Sequence, residues 1–550
     1  MPGATPKVGA SEKASTPRTA GGAWAPFRHD VFAVLWTATV ISNVGTWMNE
    51  VGAGWLMTSL APSPLMVALV QTATTLPVFL FALPAGALAD IVDRRRLLII
   101  TQSLMAATAG LFALLVWSEA VTASLLLLFT FLLGTGAAFV APAWQAIVPS
   151  LVPKSDLQPA IVLNSVGINI SRAVGPALAG FIIVAIGLAA PFALNALSFI
   201  GVIAALLWWR PPAAPPATLP AERFWSAIRT GLRYARSSGP LKATLLRAVA
   251  FFLFASAFWA LLPVIARTVL DGGASLFGIL LGSVGLGAVV GALFLPRLKA
   301  ALGPDRLVAL GTASAAGVMV LVGLVHDPLA AGIGSFVFGA SWIAVLSSLN
   351  VSAQLSLPEW VRARGLSVFL TVFFGSMSLG SALWGQAATV FGISAALISA
   401  AAAAMLAIPL TWRARLQRGA APDLAPSMHW PEPLVSGEVQ SDRGPVMTMV
   451  EYDIEPADTP RFLAVLHEFS RARRRGGAFA WRVFEDAARP GRFIECFLES
   501  SWLEHLRHHC RVTEDDRRLQ EQLWAFHRGP DKPKVSHLLA PGPVPPGTVE

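Results

Sequence analysis

Five residues in one short stretch could form a switchable ionic contact. The stretch GALADIVDRRRLL begins at Gly86 and separates two long apolar segments. An acidic side chain at such a place can pair with an arginine or cap the start of a helix. A charged contact at a helix junction can hold one conformation and be released in another. The candidate gate residues are Gly86, Asp90, Arg94, Arg95 and Arg96.

Two further charged residues lie inside apolar segments. Arg172 is central to its segment, where a charge costs about 2.5–3.5 kcal/mol, so it should face the interior of a helix bundle and have a partner. Arg172 either takes part in transport or has only a structural role, in which it pairs with backbone carbonyls and polar neighbours. Glu50 is the candidate for a proton-carrying carboxylate, unless it only marks the water-exposed end of its segment.

Uncharged residues within the apolar segments complete the candidate site. An amide without a partner is unfavourable in lipid, so these side chains either line a cavity or join neighbouring helices. The scarcity of charges favours a bulky, largely apolar or amphipathic ligand. The uncharged candidates for the proton or substrate site are Asn43, Trp47, Gln145, Asn164, Asn169 and Asn350.

The elements that must position these residues are membrane helices. Of the 550 residues, 55% are hydrophobic and 13% are charged, whereas a soluble domain has roughly 25% charged residues. Apolar stretches of about 18 residues or more predict membrane spans. Twelve spans are predicted, at 31–57, 64–89, 97–117, 121–148, 159–186, 190–209, 243–266, 275–296, 307–325, 329–355, 364–390 and 392–412.

The basic residues lie on one side of the predicted topology. With the N-terminus in the cytoplasm, the outer loops carry Arg267 and the short inner loops carry the other loop arginines and lysines. This asymmetry predicts a multi-pass protein of the inner (plasma) membrane with both termini cytoplasmic. The net charge of +9 therefore reflects topology, and no nucleic-acid partner is expected. The two cysteines, Cys496 and Cys510, form no disulfide framework.

The spans group into two sets of six around a linker. The linker is Pro-rich at first and then basic and amphipathic, as in a helix that lies on the inner membrane surface; the alternative is a solvated loop helix. The predicted domains are a disordered cytoplasmic tail (1–27), an N-terminal six-helix half (28–209), a cytoplasmic linker with an amphipathic helix (210–242), a C-terminal six-helix half (243–412), a second linker (413–445) and a soluble domain (446–540).

The two sets of spans contain similar stretches, QAIVPSLVPKSD and QLSLPEWVRARG, at equivalent positions. A parallel repeat of six-helix halves is typical of a transporter architecture whose substrate site lies between the halves. GALADIVDRRR resembles the loop signature of the major facilitator superfamily, and ISRAVGPALAG resembles the span-five motif of its proton-driven exporters. SNVGTWM and NSVGINISRAVGPALAG are similar to its enterobactin-exporter-like and macrolide-efflux-like branch. The residues of the span-five motif are Arg172, Gly175, Pro176 and Gly180.

Four positions depart from the superfamily pattern. Ile91 stands where a basic residue is usual, and Asp93 stands where glycine is common. Thr130 lies near the place of the span-four arginine that the resemblance links to proton transfer. Leu295 replaces the aspartate of the second-half copy of the loop. The resemblance therefore implies a gate that is intact in the first half and degenerate in the second.

Residues 446–540 have the composition and periodicity of a soluble domain. The predicted order β-α-β-β-α-β, with SWLEHLRHHCRVTEDDRRLQEQLWAFH as one long helix, is the ferredoxin-like plan. The domain resembles the antibiotic-biosynthesis-monooxygenase-like dimeric α+β barrel, which implies a dimerisation or ligand-sensing unit and a homodimer. His505, His508 and His509 share a helix face. A solvated or dimer-interface face is expected rather than a metal site, because no carboxylate or cysteine at ligand spacing completes one.

The expected function is secondary transport by alternating access. Proton-coupled efflux of a bulky organic compound, such as a drug, siderophore or metabolite, is the first hypothesis. The alternatives are import of a small organic solute and a membrane-anchored enzyme or sensor that acts through the soluble domain. The sequence has no GxxxxGK[ST] loop, so ATP is not expected to drive transport. No catalytic residue, cofactor or metal is expected; the partners are the substrate, protons and the lipid bilayer.

Overall fold

A computed structural model describes residues 24–210, 224–416 and 442–541, together with residues 427, 429, 430, 435, 437, 439 and 440. Most of the predicted N-terminal tail and of the second linker, and the Pro-rich start of the first linker, lie outside the described residues. The described chain consists of helices up to Thr411 and of a small mixed domain after residue 442.

Six helices form the first half of the membrane part. They end in short loops, and α1 packs on α5 and α6 while α4 packs on α2 and α3. Their bounds are α1 (Asp30–Leu60), α2 (Pro64–Ile91), α3 (Arg94–Trp117), α4 (Ala123–Ile147), α5 (Leu157–Ala185) and α6 (Ala190–Trp208). The linker helix α7 (Phe224–Ser237) follows. The second half contains α8 (Gly239–Val264), α9 (Ala274–Leu324), α10 (Pro328–Leu355), α11 (Arg362–Phe391) and α12 (Ile393–Thr411).

Helix α9 accounts for two of the predicted spans. Its 51 residues would measure about 75 Å as a straight helix, more than twice the roughly 30 Å of a hydrocarbon core. Gly303 breaks it with φ 71° and ψ 166°, a conformation that glycine adopts at little cost. Eleven helices of the described chain are long and apolar enough to cross a membrane. Because α9 crosses twice, the prediction of twelve transmembrane helices in two six-helix halves is confirmed.

The two halves touch mainly along two pairs of helices, α2 with α11 and α5 with α9. A β-carbon on Gly278 of α9 would lie 2.8 Å from the carbonyl oxygen of Pro176 on α5, so the two backbones are in direct contact. Thr72 of α2 donates a hydrogen bond to the carbonyl of Ser378 on α11 at 3.2 Å. Small residues thus allow the close approach that holds helices together in lipid.

The soluble domain is a four-stranded antiparallel sheet with helices on one face. Its elements are β1 (Val446–Asp453), α13 (Thr459–Gly476), β2 (Phe479–Glu485), β3 (Arg492–Glu499), α14 (Trp502–Arg511), α15 (Glu514–Trp524) and β4 (Lys534–Leu539). The strand order is β2-β3-β1-β4, which agrees with the predicted ferredoxin-like plan. Phe462, Leu466 and Phe469 of α13 are fully buried in its core.

The prediction of one long helix after β3 is wrong. Val512 has extended backbone angles, φ −66° and ψ 130°, and ends α14. Thr513 then begins α15 with a capping box, in which its side chain and that of Asp516 each accept from the other's backbone N–H. The Thr-Glu-Asp-Asp sequence supplies both the cap and an acidic first turn, which is the local signal for a new helix.

Helix α7 connects the two parts of the molecule. The side chains of residues 224–230 lie outside the described part, and residues 231–237 pack on protein. Tyr234 is 3% exposed and donates a hydrogen bond to the carbonyl of Ser356 at 2.9 Å. The helix contacts α11 on one side and α13 of the soluble domain on the other. This part of α7 therefore joins the soluble domain to the membrane bundle.

Candidate functional site

Glu50, Trp47 and Arg172 meet between α1 and α5. The guanidinium of Arg172 lies 5.6 Å from the centre of the Trp47 ring, and Arg172 and Glu50 interact electrostatically. Gly175 permits this contact, since a β-carbon there would lie 3.1 Å from the carbonyl oxygen of Val44. Arg172 thus has the anionic and aromatic partners that an arginine inside a bilayer requires.

Asn164 and Asn169 lie on α5, closer to its first residue. The side-chain oxygen of Asn164 accepts a hydrogen bond from the indole of Trp144 on α4 at 3.1 Å. The amide of Asn169 donates to the carbonyl of Ser165, one turn back, at 2.8 Å. Asn164 therefore joins two helices, and Asn169 is satisfied within its own helix.

The remaining uncharged candidates are not gathered into one group. Asn350 accepts from the side chain of Gln354 at 3.1 Å, and both Asn350 and Gln145 are exposed. Asn43 is partly buried on α1, about one turn from Trp47. The side-chain group formed by Glu50, Trp47 and Arg172 is hereafter the membrane charge group.

The arginines of the predicted gate bind helix ends within the first half. Arg95 donates to the carbonyls of Leu206 at 2.7 Å and Leu207 at 3.0 Å, at the end of α6. Arg94 donates to the carbonyl of Ala146 near the end of α4 at 3.3 Å. A cation at a helix C-terminus satisfies free carbonyls and complements the helix dipole. These arginines hold the ends of three helices together at what we call the basic face.

The remaining gate residues are Arg96, Gly86 and Asp90. Arg96 is exposed, and its backbone N–H donates to the side chain of Asp93, which caps α3, at 2.7 Å. A β-carbon on Gly86 would lie 3.7 Å from the hydroxyl of Ser367 on α11, so α2 approaches the second half here. The side chain of Asp90 lies outside the described part of the structure.

A buried ion pair occupies the basic face of the second half. Arg247 of α8 and Asp305 of α9 are 4% and 2% exposed, and their nearest charged atoms are 3.2 Å apart. Arg247 also donates to the carbonyl of Ala414 at 2.7 Å, and Asp305 accepts from the backbone N–H of Leu416 at 2.9 Å. The conclusion that this half is degenerate because of Leu295 therefore overlooks Asp305, ten positions later.

The end of the bundle opposite the basic face carries a contact between the halves. Arg267, which follows α8, donates to the hydroxyls of Thr58 at 2.9 Å and Ser59 at 2.5 Å on α1. Its guanidinium also lies 5.4 Å from the centre of the Trp55 ring. Sequence reasoning placed Arg267 in an outer loop and gave it no role. Its isolation among apolar residues is the signal that could have identified it.

His505 and His508 of α14 are buried within the chain, so the prediction of a solvated or dimer-interface face is wrong for these two histidines. His505 and His508 are 2% and 3% exposed, and each bonds through Nδ1 to one oxygen of Glu499, that of His505 at 2.5 Å. Burial alone would raise the pKa of Glu499, but His508 and His505 hold it well below its usual range. The helix itself has no carboxylate at a suitable spacing in its sequence; the structure supplies one, Glu499, from the end of β3.

Two more histidines lie beside this pair. Burial, and then the neighbouring imidazoles of His505 and His508, lower the pKa of His509 to about 3. Burial and His505 lower the pKa of His537, on β4, to about 4. Both rings are therefore neutral near pH 7, and in each the nitrogen without a proton has a lone pair that can accept a hydrogen bond or bind a metal.

The soluble domain touches the basic face through charged and aromatic side chains. The guanidinium of Arg511, on α14, lies 4.7 Å from the centre of the Trp360 ring in the α10–α11 connection. Burial, and next the charge of Arg511, lower the pKa of Arg233 on α7. The domain is thus in contact with the connection that leads into α11.

The sequence matches the family described as transmembrane secretion effector over residues 21–542. The chain belongs to this family of major facilitator transporters. The match covers the soluble domain as well as both six-helix halves. The resemblance to the major facilitator superfamily, stated above from the loop and span-five motifs, is confirmed, and the chain is a multi-pass membrane transporter.

Relatives with known roles are transporters of organic compounds. The chain is 26% identical to the staphyloferrin A transporter of Staphylococcus aureus, over 65% of this chain and 90% of that protein. It is 25% identical to the enterobactin exporter EntS of Escherichia coli O1:K1, over 65% of this chain and 85% of that protein. These relatives bear out a secondary transporter similar to siderophore exporters.

Solved structures of three other transporter groups share the fold. A POT family transporter in complex with a thioalcohol-conjugated peptide has a TM-score of 0.58 and 14% identity, covering 70% of this chain and 95% of that one. A bacterial homologue of the lysosomal transporter Spinster, in an inward-facing conformation, has a TM-score of 0.53 and 16% identity, covering 72% and 100%. The nucleoside transporter NupG has a TM-score of 0.53 and 13% identity, covering 70% and 99%.

Proposed function

We propose that this transporter exports a siderophore-like organic compound from the cytoplasm, driven by proton entry. The names of its relatives support this class of substrate. The basic face is then cytoplasmic, in agreement with the arginines of its connections, and the protein lies in the inner membrane with both termini in the cytoplasm. The observation that carries proton coupling is the membrane charge group, in which Glu50 and Arg172 interact electrostatically.

The membrane charge group suits exchange of a proton for a substrate. As a carboxylate, Glu50 accepts hydrogen bonds from substrate hydroxyls, and Arg172 favours that ionised form. Protonation from the outer side removes the negative charge and weakens those bonds, so the substrate is released outward. When the site with protonated Glu50 then opens to the cytoplasm, Glu50 releases its proton there. The indole of Trp47 offers an apolar surface for the rings or chains of a bulky substrate.

Alternating access requires that the two faces open in turn. Arg267, with Thr58 and Ser59, closes the outer face between the halves. At the cytoplasmic face, Asp90 and the arginines Arg94–Arg96 form the gate. The arginines break their contacts with the ends of α4 and α6 when the gate changes between its closed and open states. Gly86 allows α2 to slide against α11 during this change.

The test is export by cells that lack their own siderophore exporter and express this chain. Glu50→Gln should abolish gradient-driven export of a catecholate or carboxylate siderophore, while exchange between equal pools should persist with weaker substrate binding, because the neutral amide resembles the protonated carboxyl. Glu119→Gln, in the exposed α3–α4 connection, is the matched control and should export like the wild type. A protonophore should affect the wild type as Glu50→Gln does. Undiminished uphill export by Glu50→Gln would refute the proposed coupling, and accumulation instead of loss would indicate import.

We propose further that the soluble domain forms a homodimer through its open sheet face. The helices α13, α14 and α15 cover one face of the sheet, and the other face carries a row across all four strands, Leu538, Met447, Leu498 and Phe479. Phe479 and Leu538 are 45% and 47% exposed. Burial of such a row in a second copy removes apolar surface from water.

The dimer can be tested by the mass of the full chain in detergent. Leu538→Glu should reduce the dimer to a monomer, because a charge would be buried at its centre. Val535→Glu, on the same strand but paired with Val450 of the core face, is the control and should remain dimeric. A monomeric wild type, or equal behaviour of the two variants, would contradict this interface.

A further inference from the structure

Three histidines of the soluble domain form a cluster of possible metal ligands. His505 and His509 are one turn apart on α14, and a ring nitrogen of each lies within 4.8 Å of the others and of one from His537. The ring of His505 is centred 4.7 Å from each of the other two rings. The sheet register places His537 beside Thr448, which pairs with Phe497 of the core. His537 therefore lies on the face that the helices cover.

Glu499 orients the central ring of the cluster. The carboxylate accepts from Nδ1 of His505 at 2.5 Å, and Nε2 of the same ring is buried without a hydrogen-bond partner among the described residues. A carboxylate behind a histidine fixes the tautomer, so that the second nitrogen offers its lone pair to a metal. A buried nitrogen without a partner costs free energy, and coordination of a metal would remove that cost.

His508 holds Glu499 from the other side. Its Nδ1 bonds to the second carboxylate oxygen, and its ring packs against Trp430, with the ring centres 5.1 Å apart. His508 is thus a positioning residue for Glu499 rather than a member of the cluster. The carboxylate is fixed by two imidazoles, which is the rigid support that a metal ligand needs.

We propose that His505, His509 and His537 bind a divalent transition-metal ion such as Zn²⁺, with Glu499 as the positioning residue behind His505. Imidazole ligands suit zinc, copper, iron and nickel. Three protein ligands leave a fourth position for water or for a donor atom of a chelating compound. Bonds of about 2.0–2.1 Å require the rings to close around the ion, and the partly exposed His509 and His537 have room to rotate.

The experiment is a zinc titration of the full chain in detergent, purified with a tag that contains no histidine and stripped with a chelator. The wild type should bind one ion per chain. His509→Gln and His537→Gln should each weaken binding by about 10–100-fold or more. His467→Gln is the matched control, because His467 lies on α13 outside the cluster and bonds to the carbonyl of Leu463.

Two further measurements separate coordination from a change in folding. Co²⁺ in the same site should give the intense visible absorption of tetrahedral coordination, and this band should be lost in His537→Gln while the melting temperature without metal stays near that of the wild type. Glu499→Gln should keep the band and weaken binding by about 10–100-fold. A wild type that binds no zinc, or a His537→Gln variant that binds as tightly as His467→Gln, would overturn the proposed site.

Discussion

The two six-helix halves secure their helix ends at the basic face in different ways. In the first half, the partly exposed Arg95 donates to the carbonyl of Leu206 at the end of α6. In the second half, Arg247 donates to Ala414 just after α12, the equivalent helix, and is paired with Asp305 in a nearly solvent-free place. Both devices fasten the last helix of a half, one with a cation at the surface and one with a buried ion pair.

This difference suggests a division of work between the halves. A surface arginine bound to carbonyls can exchange them for water at small cost, so its contact can open and close. A buried ion pair cannot be parted without leaving a charge in a low dielectric. We therefore expect the first half to supply the moving gate and the second half to supply a fixed frame.

The largest expected effect comes from breaking the buried pair. Asp305→Asn leaves Arg247 buried without its counter-ion and should destabilise the fold by about 3–5 kcal/mol. Little monodisperse protein should be recovered, as measured by detergent size-exclusion chromatography after heating. Asp327→Asn, which keeps an exposed cap at the start of α10, should behave like the wild type. Equal stability of the two variants would show that the pair of Arg247 and Asp305 does not stabilise the second half.

A smaller effect is expected at the break in α9. Gly303→Ala places a side chain at φ 71°, and this should cost about 1–2 kcal/mol. The melting temperature should fall, whereas Gly317→Ala, in the same helix with open space around the new methyl group, should leave it unchanged or raised. Equal melting temperatures of the two variants would show that the break does not depend on glycine. Other contacts would then position Asp305, which follows the break.

The gate of the first half should respond in transport more than in stability. Arg95→Gln removes two charge-assisted bonds to the end of α6 and should cost only about 1 kcal/mol. The export rate should nevertheless fall at unchanged expression, because the α6 end is no longer held in register. Arg297→Gln, at an exposed arginine of α9 outside the gate, is the control and should export like the wild type. Normal export by Arg95→Gln would show that the arginines Arg94–Arg96 set only the membrane orientation and do not act as a gate.

An effect on stability of similar size is expected at the end of the bundle opposite the basic face. Arg267→Gln removes a cation above Trp55 and its two hydrogen bonds to Thr58 and Ser59, contacts between partly exposed groups that together are worth about 1 kcal/mol. The proposed outer closure should become leaky, so a thiol reagent that cannot cross the membrane should modify a cysteine introduced at Gly54, which faces Pro263 and Phe277 of the second half, faster than in the matching protein with Arg267. Unchanged labelling would show that Arg267 does not help to close this face.

The candidate site was predictable in its residue types and only partly in its grouping. Glu50, Trp47 and Arg172 were each identified because charges and indoles are notable inside apolar segments, and they meet in space. Asn164 and Asn350, identified by the same reasoning, are engaged with Trp144 and Gln354 instead. Spacing along a helix tells which residues share a face, but it does not tell which other helix that face meets.

The soluble domain illustrates the same limit. Strand alternation and helix periodicity predicted its plan, since these patterns are local. The burial of the α14 histidines was not predicted, because the carboxylate that they bind, Glu499, and the neighbouring histidine, His537, come from different strands. They join α14 only after β3, β1 and β4 have paired in their particular register.

The sequence by itself determined the membrane topology of this protein. A segment of about 20 apolar residues must satisfy its backbone internally and so becomes a helix wherever it lies in the bilayer, and the loop arginines predict an orientation for the set. Only the tertiary structure decided which side chains act together, such as Glu50 with Arg172 and Arg247 with Asp305. These partners are far apart in the chain, and the packing of whole helices, which no local pattern encodes, brings them close enough to interact.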